Sequence, residues 1–229
     1  TLYTGEKYDM NCGVVWATDE KDLPALWAFL SSQDYSIEIR KIDKQLKLTT
    51  ATLLKVPFNI ERWRSEAADK FPCGLPDPSS VDPTQWVFSG RANGSISPLT
   101  IAVARLLGYR WPRQTGSKFR DCPAIGPDDL EGHSDKDGIV CLTALKGEPP
   151  AEQRLNALLA DAFGAEWSAA RLTGLLAEAG YAGKSLDDWL RDGFFAHHTE
   201  LFQQRPFIWH VWDGRRDGFH ALVNYHRLA

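Results

Sequence analysis

The chain has 229 residues, of which 43% are hydrophobic, 11% aromatic and 24% charged, and it carries a formal net charge of −4. This composition is typical of an ordinary globular protein with one large or two small domains, and it argues against a generally basic nucleic-acid binder. No apolar run approaches the roughly 18 to 20 residues of a membrane span, and the first residues lack a signal-peptide pattern. We therefore expect a cytoplasmic protein with no membrane partner. The four cysteines are too widely spaced to predict a disulfide framework or a cysteine zinc site.

Residues 1–70 predict an α/β segment. The sequence CGVVWA at residues 12–17 is short, apolar and rich in valine, which favours a buried strand. Asp19 then provides an N-cap for a helix in which leucines and a tryptophan recur at helical spacing. The elements expected next are a helix over residues 35–42, an extended or briefly helical stretch over 48–57, and a helix over 58–70 capped by Asn59.

Residues 71–83 contain four prolines and cannot form a regular helix or a central strand. This stretch is the predicted linker. It would separate the first segment from a helix-rich domain over residues 84–229.

Residues 84–120 contain no acidic side chain but have six positive ones. Aromatic residues, among them Trp86, Tyr109 and Trp111, are interleaved with these charges. The arginines could contact phosphates while the rings stack on bases; alternatively, the rings belong to the core and the charges pair with the acidic residues that follow. The residues alone leave these two interpretations equally open. The six positive residues are Arg91, Arg105, Arg110, Arg113, Lys118 and Arg120.

The second domain is predicted to consist mainly of helices. Ser97 and Pro98 begin a helix over residues 96–107 that Gly108 ends. Residues 121–137 predict an irregular acidic loop, and residues 138–145 a strand. Three amphipathic helices are expected after it, over residues 151–163, 168–179 and 185–202.

The last predicted element is a β-hairpin, in which residues 207–212 and 219–225 are joined by DGRRDG; a helix from Gly218 is the competing local interpretation. We expect an α+β fold, rich in helices, with a small antiparallel sheet that includes this hairpin. Arg215 and Arg216 at its tip could enter a DNA groove or simply be solvated. Alternation predicts a core face and a semi-polar face. The core face would contain Phe207, Trp209, Val211, Phe219, Ala221, Val223 and Tyr225, and the other face His210, His220, Asn224 and His226.

Three stretches resemble large bacterial adenine-specific DNA methyltransferases of restriction-modification and phage-defence systems, including single-chain type II restriction-methylation enzymes and the DISARM and BREX methylases. They are KIDKQLKLTTATLLKVPFNIERW at residues 41–63, SPLTIAVARLLGYRWPRQTG at 97–116 and RPFIWHVWDGRRDGFHALVNYHRL at 205–228. Those enzymes hold S-adenosylmethionine with a glycine-containing loop and engage a flipped adenine with an Asn-Pro-Pro-Tyr type loop. This chain has neither loop, so the resemblance implies the target-recognition portion that follows a catalytic domain.

The resemblance favours the DNA interpretation of the arginines. It implies double-stranded DNA and the parent's catalytic methyltransferase domain as partners, with no cofactor in this chain and S-adenosylmethionine bound in the parent. The expected DNA-binding residues are Arg91, Arg105, Arg110, Arg113, Lys118, Arg120, Arg215 and Arg216. This chain alone is not expected to catalyse methylation.

Two other functions remain open. A metal-dependent hydrolase or nuclease could use His197, His198, Glu200 and Asp213, although their spacing matches no standard metal motif. A protein-interaction module could dock the aromatic hairpin on the catalytic domain, and that role is compatible with DNA binding.

Overall fold

The computed structural model describes residues 13–45, 47–116 and 123–228. The chain forms two compact units that divide between Pro78 and Ser79, inside the predicted linker. The end of that predicted linker is packed into the second unit, because Pro83 is buried and its carbonyl accepts a hydrogen bond from Trp111 Nε1 at 2.9 Å.

All regular secondary structure among the described residues of the first unit is helical. Side-chain oxygens of Ser32, Thr49 and Asn59 cap the second, third and fourth helices by accepting backbone N–H groups, as their residue types favour. A small core forms around Phe29 and includes Trp63, whose ring centroid is 5.3 Å away. The helices are α1 (Leu23–Leu30), α2 (Gln33–Ile42), α3 (Thr50–Leu53) and α4 (Ile60–Lys70).

The predicted strand over residues 12–17 is wrong for its described part. Residues 13–17 form no strand, and the Trp16 side chain is 68% exposed; Cys12 lies outside the described residues. Since no described segment of this unit is a strand, the valine-rich run has no ladder to join. The described part of the first unit is therefore α rather than α/β.

The second unit is organised around α5 (Pro98–Leu106), in which every residue from Leu99 to the end is buried. A helix that is buried on all sides belongs in the middle of a fold. The surrounding helices are α6 (Pro112–Thr115), α7 (Ala151–Phe163), α8 (Ala169–Glu178), α9 (Leu186–Asp192) and α10 (Phe194–Leu201). No helix among the residues described is both long and apolar enough to cross a bilayer.

The predicted helix over residues 185–202 is divided at Gly193 into α9 and α10. A Cβ atom at Gly193 would lie only 2.6 Å from the ring of Tyr181, so the close approach of these two segments requires glycine at the break.

The sheet is antiparallel, with β3 (His220–Asn224) between β1 (Ile139–Cys141) and β2 (Ile208–Trp212). The helix-rich α+β fold and the C-terminal hairpin are thus confirmed, and the competing helix from Gly218 is wrong.

The predicted core face of the hairpin is wrong for β2, whereas β3 is buried on both faces, since Ala221 is buried as predicted and so is its neighbour Leu222. Trp209 and Val211 are each 49% exposed, whereas Ile208, Leu222 and Asn224 are fully buried. The polar residues can lie inside because they have partners: Asn224 Nδ2 donates to the carbonyl of Leu107 at the end of α5, at 3.0 Å. Phe207, just before β2, is buried as predicted.

Candidate nucleic-acid interface

Arg105 stabilises the fold and is not available to DNA. Its side chain is 1% exposed, and its Nη1 and Nη2 atoms donate to the two carboxylate oxygens of Asp128 at 2.8 and 2.6 Å. Nη1 also donates to the carbonyl of Gly90 at 3.1 Å. These hydrogen bonds from Arg105 hold the pKa of Asp128 below its ordinary value. The expectation that Arg105 contacts phosphate is therefore corrected: burial and pairing occupy its guanidinium group.

Two further arginines of the acid-free stretch point towards the segment that follows it. Arg113 is buried and donates to the carbonyl of Pro123 at 2.8 Å. Arg110 is partly buried, and its Nε donates to Glu131 at 3.2 Å. Arg91 is exposed. Lys118 and Arg120 lie outside the described residues. The second interpretation, pairing with the acidic loop, thus describes Arg105 and Arg110.

The aromatic residues of the same stretch open onto a groove in the second unit. The groove has a volume of about 410 Å³ and is lined by Trp86, Tyr109 and Trp111 together with Phe202 at the end of α10. The Tyr109 ring stacks on Phe207 at a centroid distance of 4.1 Å and meets Trp111 edge-on at 4.8 Å. Burial raises the pKa of the Tyr109 hydroxyl. Tyr109 and Trp111 are thereby held in place by their packing contacts.

Polar side chains stand at the rim of this groove. Gln85, Gln203 and Arg205 are exposed and line it. Arg205 is the one charged side chain among the described lining residues, so the groove favours an anionic ligand. Rings that can stack and a cation that can hold phosphate are the two components of a single-strand nucleic-acid site.

The hairpin tip has two exposed arginines, of which Arg216 forms salt bridges. Arg216 Nη2 contacts Asp188 at 2.9 Å and Asp192 at 3.3 Å, both on α9. Because the Arg216 side chain is 62% exposed, these pairs are weak and leave it reachable. Arg215 is exposed, and its backbone N–H is held by the Asp213 carboxylate at 3.0 Å. His220 Nε2 lies 2.9 Å and 3.0 Å from the carbonyl oxygens of Arg215 and Arg216 and so fixes the turn.

The two histidines considered for a metal site are engaged in other hydrogen bonds. His197 Nδ1 accepts a hydrogen bond from Trp189 Nε1 at 3.0 Å. His198 is fully buried, and its Nε2 accepts the backbone N–H groups of Phe207 and Ile208 at 3.2 and 3.1 Å. Burial lowers the pKa of His198 to about 4. No group of three or more potential metal ligands occurs among the described residues, so the structure does not bring this set together.

Aromatic residues of the acid-free stretch line the groove, whereas its four described positive residues, Arg91, Arg105, Arg110 and Arg113, do not. The groove uses the aromatic residues of the acid-free stretch, while Phe202, Gln203 and Arg205 come from a segment about a hundred residues later. Arg205 is the first residue of the aromatic C-terminal stretch that carries the resemblance, and this position in the sequence could have identified it as a candidate. No spacing pattern marks Gln203.

Comparisons with known proteins add no relative: no family model, no curated protein and no solved structure matches this chain.

Proposed function

We propose that this chain recognises double-stranded DNA for an adenine-specific DNA methyltransferase of a bacterial restriction-modification or phage-defence system. The observation that carries the proposal is that Arg205 beside the aromatic groove and Arg215 and Arg216 at the hairpin tip are exposed cations, which can contact the phosphate backbone of a duplex. The resemblance of three sequence stretches to such methyltransferases supports it. Catalysis and S-adenosylmethionine binding would belong to the parent's catalytic domain, and the complex would act in the cytoplasm.

The arginines available for DNA differ from the set expected from sequence. Arg91, Arg205, Arg215 and Arg216 are exposed and can reach phosphates. Arg105 and Arg113 are buried, so their replacement would change stability before it changed affinity.

A salt series tests the proposal. Binding of this chain to a 20-base-pair duplex is measured by fluorescence anisotropy at several salt concentrations, with Arg205→Ala and Arg215→Ala as variants. Each lost phosphate contact should reduce the slope of log affinity against log salt by about 0.9. Arg64→Ala is the control, because Arg64 is also half exposed but pairs with Asp22 and Glu61 in the first unit. An affinity that is independent of salt, or unchanged in both variants, would contradict DNA recognition by these residues.

A protein-interaction role has separate support from the outer face of the sheet. Ile139, Trp209 and Val211 are each 39% exposed or more, and they share that face with the partly buried Val223. Exposed apolar clusters of this kind mark protein contacts. The parent's catalytic domain is the proposed partner, and Trp209→Asp should weaken its association with this chain in a pull-down assay while leaving the salt-dependent DNA affinity unchanged.

A further inference from the structure

The backbone at the end of α10 is strained in a way that the rest of the second unit avoids. Gln203 and Gln204 have φ angles of 53° and 62°, and they are the positive-φ residues other than glycine among those described. The left-handed region is unfavourable for an L-residue that has a Cβ atom, which is why glycine usually occupies it.

Two other helices of the second unit, α5 and α8, end in a common hydrogen-bond pattern that has glycine at a fixed position. After α5, the N–H of Gly108 donates to Arg105 and that of Tyr109 to Ala104; after α8, the N–H of Gly180 donates to Ala177 and that of Tyr181 to Leu176. Both glycines have positive φ angles, of 76° and 77°. These are Schellman motifs with glycine at the position that requires it.

The end of α10 repeats this pattern with glutamine in the glycine position. The N–H of Gln203 donates to the carbonyl of Glu200 at 3.0 Å, and the N–H of Gln204 donates to that of Thr199 at 2.8 Å. Gln203 lines the groove, whereas the exposed Gln204 does not. Gln203 therefore lines the groove in a backbone conformation that is unfavourable for it, and strain at a ligand site is a reason to look for function.

We infer that the groove binds one unstacked nucleobase of a DNA strand, with Gln203 hydrogen-bonded to the edge of the base. This inference rests on the DNA-recognition function proposed above and names the ligand of its groove. A carboxamide offers one donor and one acceptor, which complement the paired donor and acceptor on a base edge. Trp86 and Tyr109 provide stacking surfaces, and Arg205 on the same rim can hold the adjoining phosphate. The volume of about 410 Å³ is in the range of small-ligand sites.

Short single strands test the inference without depending on duplex binding. The affinity of this chain for a five-nucleotide DNA strand is compared with its affinity for a five-unit strand of abasic sugar phosphates, which has the same charge but no base to stack. The readout is quenching of tryptophan fluorescence, with anisotropy of an end label as a second measure. We expect the strand with bases to bind about tenfold more tightly, since one stacked base accounts for that much.

The two neighbouring glutamines provide a matched pair of variants. Gln203→Gly and Gln204→Gly each remove a side chain from a left-handed residue, so each should raise the melting temperature, by about 2 °C or more. Of these two variants, only Gln203→Gly should reduce the affinity ratio between the strand with bases and the abasic strand, by about fivefold or more. Trp86→Ala should reduce this ratio as well. Because Gln203→Gly is expected to be more stable than the wild type, its loss of binding cannot be attributed to misfolding.

The outcomes separate this inference from the proposed function. Equal affinity for the two strands, absence of binding to both, or a preference that survives Gln203→Gly would overturn the base-binding groove. Salt-dependent duplex binding together with any of those results would leave DNA recognition intact. Preference for bases without duplex binding would uphold the groove and reject duplex recognition. Binding of a proline-rich peptide in the groove, with no preference for bases, would assign it to protein recognition instead.

Discussion

The pairing of Arg105 with Asp128 gives a sharp test of the structure, through the substitution Asp128→Asn. The variant keeps the shape of the side chain but removes the charge that compensates a guanidinium group with 1% exposure. The asparagine oxygen can accept one of the two hydrogen bonds, while its NH₂ group opposes the other Nη donor. Breaking a buried pair on one side typically costs 3 to 5 kcal/mol. Because the Asp128 side chain is itself 28% exposed, water can reach the site, and we expect about 3 kcal/mol.

The loss should be visible by thermal unfolding followed by circular dichroism. For a unit of about 150 residues, 3 kcal/mol corresponds to a decrease in melting temperature of about 6 to 12 °C. Glu131→Gln is the matched control, since it removes the more exposed carboxylate partner of Arg110 at 3.2 Å and should cost at most about 1 kcal/mol. If Asp128→Asn has the same melting temperature as Glu131→Gln, Arg105 does not depend on Asp128 for stability. The interpretation of Arg105 as a structural residue would then be wrong.

Acid titration adds an independent check on the same pair. The pKa of Asp128 is lowered in the folded state, so the unfolded chain takes up the proton first as the pH falls. The stabilisation is therefore complete above the ordinary aspartate pKa and is lost as the pH falls through the lower folded value. Asp128→Asn should show a smaller loss of stability than the wild type over that acidic range.

Three further predictions concern residues outside this pair. The folded pKa of His198 is about 4 against an ordinary 6.5, so the free energy of unfolding measured in urea should fall by up to about 3 kcal/mol as the pH decreases from 6.5 to 4, and His198→Phe should lack this dependence. Trp209→Ala should fold and lose much less than the 3 to 5 kcal/mol expected for the fully buried Trp189→Ala; equal losses in chemical unfolding would place Trp209 in the core. Calorimetric titration with S-adenosylmethionine should show no binding, and saturable micromolar binding would reveal a cofactor site in this chain.

Local patterns in the sequence were sufficient to predict most of the helices and the hairpin. Helix ends depend on nearby residues: Asn59 caps α4, and Gly108 provides the positive φ angle after α5. The DGRRDG turn between two aromatic runs likewise predicted the hairpin of β2 and β3. These features could be predicted because each is determined within a few residues of the chain.

Features that depend on distant partners were decided by the tertiary structure. Asn224 can be buried because it donates a hydrogen bond to the carbonyl of Leu107, more than a hundred residues away in sequence, whereas alternation of apolar residues predicted it on the semi-polar face. The role of Arg105 follows from Asp128, and the break at Gly193 from the ring of Tyr181. The groove combines Trp86 and Tyr109 with Gln203 and Arg205, which only the packing of the second unit brings together. A sequence shows which groups are present, but long-range packing determines which polar groups gain partners and can be buried, and which are left to meet a ligand.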